Sequence, residues 1–126
     1  MQPQDKRAVI LLADDEPVVR NLVQMALTYA GYHVLSASDG AEALNLSRSY
    51  DGVIDLLIGD AEMPNLTGPE LAKTVSKERP DMQILLMAAE LRDEIPQQLR
   101  LELLRKPFVP KLLLERVHSI LFRRPS

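Results

Sequence analysis

Three acidic residues in succession, Asp14, Asp15 and Glu16, close one apolar run, and a further aspartate, Asp60, closes another. Lys106 follows a later apolar run and precedes a proline. Carboxylates gathered within a few ångström repel one another, and burial adds a desolvation cost, so such a cluster calls for a cation. All-oxygen donors favour a hard ion such as Mg2+, which keeps several waters and commonly shares its remaining positions with a phosphate. A lysine ammonium beside it would hold a phosphoryl oxygen. Asp60 is then a nucleophile toward phosphorus, with metal and lysine neutralising the transferring group. Each residue also has a plainer reading. Asp14 or Asp15 could cap a helix that has Pro17 in its first turn, Asp60 could be a turn residue, and Lys106 a solvated strand end. The conjunction singles out the chemistry, and it requires all of these side chains to reach one pocket.

That requirement falls on the elements that carry them. Residues 8–13 are a short continuous apolar run and read as a strand buried on both faces; 33–36, 54–59 and 83–87 read as further short strands, and 101–105 as a fifth, poorer one. Between them, Val19, Leu22, Val23, Ala26, Leu27 and Ala30 recur at helical spacing with Gly31 as a stop. Asp39 and Glu42 can cap a helix over 40–50, and Thr67 with Glu70 has capping-box spacing for one ending near Arg79–Pro80. Residues 91–100 read as a helix broken by Pro96, hence short or irregular. The last helix carries Val109, Leu112, Leu113, Val117, Ile120 and Leu121 on one face. Met25, Met82 and Met87 read as core filler, and His33 and His118 as structural or surface residues. Five βα units without repeats or linkers predict one α/β domain over 1–126, with its core about 7–122: a doubly wound parallel sheet with helices on both faces. Ligands of such sheets collect beyond the carboxyl ends of the strands. Asp14, Asp15, Asp60, Ala88 and Lys106 all fall there.

Composition narrows the function. The chain has 126 residues and a net charge of −3, with 46% hydrophobic and 26% charged residues, as expected of a globular domain with a real core. An acidic chain with five aromatics is a poor direct nucleic-acid binder, a mode that needs a basic face and stacking rings. The absence of cysteine excludes a disulfide scaffold, a thiolate zinc site and a cysteine nucleophile. No apolar run approaches the ~18 residues of a membrane span, and the polar N-terminus is no secretory signal, so a cytoplasmic protein is expected.

The assembled residues resemble the receiver domain of two-component response regulators over nearly the whole chain. The carriers are residues 11–17 (LLADDEP), Gly31-Tyr32, residues 37–44 (ASDGAEAL), residues 55–60 (DLLIGD), residues 63–68 (MPNLTG) and residues 106–108 (KPF). The resemblance implies a flavodoxin-like sheet of order 2-1-3-4-5. It also implies that Asp60 takes a phosphoryl group from a phosphohistidine on a histidine kinase or phosphotransfer protein. Asp15 would be a direct Mg2+ ligand, Asp14 a ligand through water, and Glu62 would lend its backbone carbonyl. Lys106 would pair with the phosphoryl oxygen, and the Lys106–Pro107 bond would be cis. Such a domain is no enzyme beyond slow loss of its own phosphoryl group.

Two positions depart from the family. The Ser or Thr that ends strand four is replaced by Ala88, and the switch aromatic three residues before the lysine by Leu103. An atypical output is therefore expected. The competing reading is a receiver-like protein-binding module that works unphosphorylated. A third is a Mg2+-dependent phosphatase with Glu62 as its acid/base, which the Lys-Pro-Phe and Met-Pro motifs disfavour.

Overall fold

Among the described residues, apolar runs alternate with amphipathic stretches, and they fold as strands and helices. The computed structural model describes residues 7–90 and 101–122. In chain order these form β1 (Val9–Ala13), α1 (Pro17–Tyr29), β2 (His33–Ala37), α2 (Gly40–Ser49), β3 (Leu56–Asp60), α3 (Gly68–Glu78), β4 (Gln83–Ala88), β5 (Leu101–Arg105) and α4 (Pro110–Leu121). The strands make one parallel sheet of order β2-β1-β3-β4-β5. The expected break at Pro96 lies outside the described residues. Among the described residues, no helix is long and apolar enough to cross a membrane.

Strand residues alternate between two faces, which splits the core in two. Leu11, Leu57 and Leu86 pack with Ala43 of α2 and Leu71 and Val75 of α3. Ile10, Leu12, Ile58, Leu85 and Met87 pack on the other face with Val23 and Leu27 of α1 and Leu113, Val117 and Ile120 of α4. β3 is buried along its whole length, as a central strand covered on both faces must be.

Local chemistry sets the helix ends. Thr67 Oγ1 accepts the Glu70 N–H at 3.3 Å and Glu70 Oε1 accepts the Thr67 N–H at 2.9 Å, completing the capping box. Asp39 Oδ1 accepts the Glu42 N–H at 2.8 Å and opens α2. Gly31 follows α1 at φ +102°, the left-handed turn that glycine permits, and the Tyr32 N–H closes back on the Leu27 carbonyl at 3.1 Å. Neither Asp14 nor Asp15 caps α1; its N-cap is Glu16, whose side chain makes no capping bond.

Helical spacing alone misplaced several apolar residues. Met25 is 69% exposed, not core filler, and with Val18, Leu22 and Tyr29 it forms an exposed stripe on α1. The stripe is itself helically spaced, so periodicity marks two candidate faces and only packing selects one. On α4, Val109 is the exposed N-cap and Leu112 is also exposed, leaving Leu113, Val117 and Ile120 as the buried face.

Arg79, at the C-cap of α3, joins this helix to the end of α2. Its guanidinium donates to Ser47 Oγ at 3.1 Å and to the carbonyls of Ser47, Tyr50 and Gly52 at 2.7, 2.8 and 2.9 Å. These oxygens include carbonyls that a helix end leaves without partners. Arg79→Ala is expected to cost about 2–3 kcal/mol, on the scale of charged hydrogen bonds to semi-buried acceptors. Arg79→Lys should recover little of it, because an ammonium cannot reproduce the planar fork. Urea denaturation of the two variants checks this, and a loss below about 0.5 kcal/mol in either would contradict the assignment.

Candidate functional site

The site forms at the sheet edge where β1, β3 and β5 end, with β4 between the last two. Beyond β1, the Asp14 N–H bonds the Ala37 carbonyl at 3.2 Å, so the sheet continues one residue into the acidic run. The chain then turns: Asp14 Oδ1 accepts the Glu16 N–H at 2.9 Å, and the Asp14 carbonyl accepts from Arg20 Nη1 at 2.8 Å. Asp14 is fully buried, whereas Asp15 and Glu16 are exposed.

Asp60 is the last residue of β3 and is buried, with its Oδ1 accepting the Glu62 N–H at 3.1 Å. The start of α3 comes so close that a Cβ on Gly68 would lie 2.5 Å from the Asp60 carbonyl oxygen. A side chain at Gly68 would therefore push α3 away from the site. Past β5, the Lys106 N–H bonds the Ala88 carbonyl at 2.8 Å, and the Lys106–Pro107 bond is cis.

Lys106 Nζ lies 3.2 Å from Asp60 Oδ2, 3.2 Å from Glu16 Oε1 and 3.6 Å from Asp14 Oδ2. Burial pulls the lysine pKa down, but the combined attraction of Asp14, Asp60 and Glu16 outweighs it and holds the ammonium above its ordinary value. Asp14 moves the other way. Its burial raises the carboxyl from 3.8 to about 6, assisted by the charge of Asp60 and opposed by the Glu16 N–H and Lys106.

Asp14, Asp15 and Asp60 each bring a carboxylate oxygen within 4.8 Å of the other two. Asp14 Oδ2 is buried and has no hydrogen-bond partner. A buried carboxylate oxygen without a donor is costly, and either a proton or a cation satisfies it. Three oxygen donors, one of them orphaned, fit a hard divalent ion such as Mg2+.

Asp14, Asp15, Asp60 and Lys106, all singled out from the sequence, thus meet at one sheet edge. Glu62 reaches the site through its N–H, and its side chain is exposed. Ala88 is buried at the end of β4, one residue past Met87, which pairs with Asp60. It therefore flanks the site with a methyl group. Leu103 is half-buried in β5, and its carbonyl accepts from Arg116 at 2.7 Å. The sequence did not reveal Glu16 as a partner of Lys106 or Gly68 as a spacer against Asp60, because both contacts join distant segments.

Comparison with known proteins agrees with this geometry. A family model described as the response regulator receiver domain matches residues 10–118. A probable transcriptional regulator, ycf27 of Cyanidium caldarium, is 38% identical over 119 residues, covering 90% of this chain and 46% of its own length. The sensor kinase CckA of Brucella abortus is 32% identical over 118 residues, again covering 90% of this chain but 12% of its own length. The chain thus spans less than half the length of either relative. Among solved structures, the chemotaxis protein CheY4 of Vibrio cholerae superposes with a TM-score of 0.84 at 32% identity, covering 91% of this chain and 99% of that one.

Proposed function

The chain belongs to the response regulator receiver domain family, and from that premise we propose that Asp60 is its phosphoacceptor. Receiver domains of two-component systems accept phosphoryl groups from histidine kinases or phosphotransfer proteins and bind Mg2+ at an acidic pocket. The observation that carries the assignment here is the approach of Lys106 Nζ to within 3.2 Å of Asp60 Oδ2, across 46 residues of sequence.

In the proposed reaction an Asp60 oxygen attacks phosphorus. The phosphorus–nitrogen bond to the donor imidazole, protonated on its other ring nitrogen, breaks as the phosphorus–oxygen bond forms, leaving an acyl phosphate on Asp60 and a neutral histidine on the donor. Lys106, held above its ordinary pKa, donates to a phosphoryl oxygen and offsets its charge. The Glu62 N–H fixes the Asp60 carboxylate through Oδ1. Asp14, Asp15, Asp60 and the backbone carbonyl of Glu62 would hold Mg2+, which supplies positive charge for the carboxylates and the transferring group. Hydrolysis of the acyl phosphate by water, slowly and without an added enzyme, returns Asp60 to its carboxylate. The domain is read as covering 1–126, with its core at about 7–122, and as working in the cytoplasm.

Output is proposed to be atypical. A hydroxyl at position 88 would donate to the phosphoryl group, and the Ala88 methyl cannot. The forgone charged hydrogen bond amounts to about 1–3 kcal/mol of the phosphorylated state's stabilisation. This favours a second reading, a binding module that works unphosphorylated. Incubation with Mg2+ and acetyl phosphate, followed by intact mass measurement, separates the two. One added phosphoryl group is expected on the native protein and none on Asp60→Asn. No adduct on the native protein, with no beryllofluoride bound at Asp60, would replace the acceptor reading by the binding module.

A further inference from the structure

An ammonium has three N–H donors, and three carboxylates surround that of Lys106, two of them within hydrogen-bond distance. Asp60 Oδ2 and Glu16 Oε1 take hydrogen bonds of 3.2 Å each, and Asp14 Oδ2 stands at 3.6 Å. Asp60 and Asp14 already have parts in the acceptor and cation chemistry. Glu16 has none. It occupies the N-cap of α1 yet spends its carboxylate on Lys106, 90 residues away, instead of on the helix. Its side chain is 60% exposed, against 16% for Lys106.

We infer that Glu16 is a positioning residue that draws Lys106 toward the rim of the pocket in the resting domain and so restrains phosphorylation of Asp60. The inference rests on the acceptor reading given above. An arriving phosphoryl group draws the ammonium inward, and the hydrogen bonds that now hold Lys106 resist that movement. Asp60 is the attacking group and stays beside the ammonium, and Asp14 faces the cation. The contact to Glu16 is the one left to break, and an exposed carboxylate is rehydrated at small cost. Glu16 also places a further negative charge where an anionic donor enters. It forms no bond to phosphorus and moves no proton.

The test compares the native protein with Glu16→Gln and Glu16→Asp, each incubated with Mg2+ and acetyl phosphate, by the rate at which phosphorylated protein accumulates. Glu16→Gln should react about three- to fivefold faster, the scale of one exposed ion pair. Glu16→Asp keeps the charge but is one methylene too short to reach Lys106, and it should show most of the same gain. A purely structural role for Glu16 would slow both variants. An unchanged or slower rate in Glu16→Gln overturns the inference. So does a fast Glu16→Gln beside a Glu16→Asp that matches the native protein, since charge at the entrance would then suffice. Adduct formation at equal rates removes the restraint alone, whereas no adduct in any of the three folded proteins removes the acceptor reading and the restraint with it.

Discussion

Replacing Asp14 with asparagine is expected to stabilise the metal-free protein by about 2–3 kcal/mol at neutral pH, while abolishing its response to Mg2+. Burial holds the Asp14 carboxyl at about 6 against an ordinary 3.8. The folded state therefore binds a proton that the unfolded chain has already released. Stability from this group is fully present below about pH 4 and is lost as pH rises through about 6. Above that, the folded protein carries a buried charge with an unsatisfied Oδ2. An asparagine keeps the shape, still accepts the Glu16 N–H, and can turn its amide nitrogen toward the Asp60 carboxylate. With Mg2+ present the order reverses, because cation binding stabilises only the protein that retains the carboxylate.

Urea denaturation of both proteins in chelator at pH 4 and pH 7.5, and with Mg2+ at pH 7.5, gives the three comparisons needed. The variant's advantage should appear at pH 7.5, shrink at pH 4, and reverse when the ion is added at pH 7.5. An asparagine variant no more stable than the native protein in chelator at pH 7.5 would show that Asp14 carries no such strain. The same proton competes with the metal, so Mg2+ affinity should fall about tenfold per pH unit below pH 6.

Lys106→Met is expected to slow phosphorylation by acetyl phosphate by about 10²-fold and, at the same time, to tighten Mg2+ binding. Methionine has a similar unbranched reach but no charge. Its substitution leaves Asp14, Asp60 and Glu16 without their shared cation, which stands within 3.6 Å of all three. In the metal-free protein this should cost about 2–4 kcal/mol, because the carboxylates lose a partner that lies mostly out of water. A divalent ion entering the same pocket then meets more uncompensated negative charge and less repulsion. Phosphoryl transfer loses its donor to the transferring oxygen, and extra metal affinity cannot replace that directed contact. Calorimetric Mg2+ titration beside the phosphorylation rate distinguishes this from general damage to the fold, which would weaken both. Native-like phosphorylation in Lys106→Met would remove the lysine from the chemistry.

Much of this protein was legible in its sequence, and particular residues show why. Strands of a parallel sheet all point their carboxyl ends to one edge, so an acid after β1, an acid ending β3 and a lysine after β5 must converge once the runs are read as strands. The helix ends were equally open, since the bonds between Thr67 and Glu70, and between Asp39 and Glu42, span three residues and depend on local backbone alone. Met25 was misread because α1 offers two apolar stripes of the same period, and the choice between them belongs to the sheet that covers one.

The tertiary structure alone decided how the charges share the pocket. Glu16 reaches Lys106 rather than capping α1, and Asp14 Oδ2 is left with no donor. Gly68 stands where any Cβ would strike the Asp60 carbonyl. Periodicity fixes the direction in which a side chain leaves its element. Separations of 3 Å between segments up to 90 residues apart depend instead on strand register, sheet twist and the close approach of helix ends, which no short window of sequence encodes.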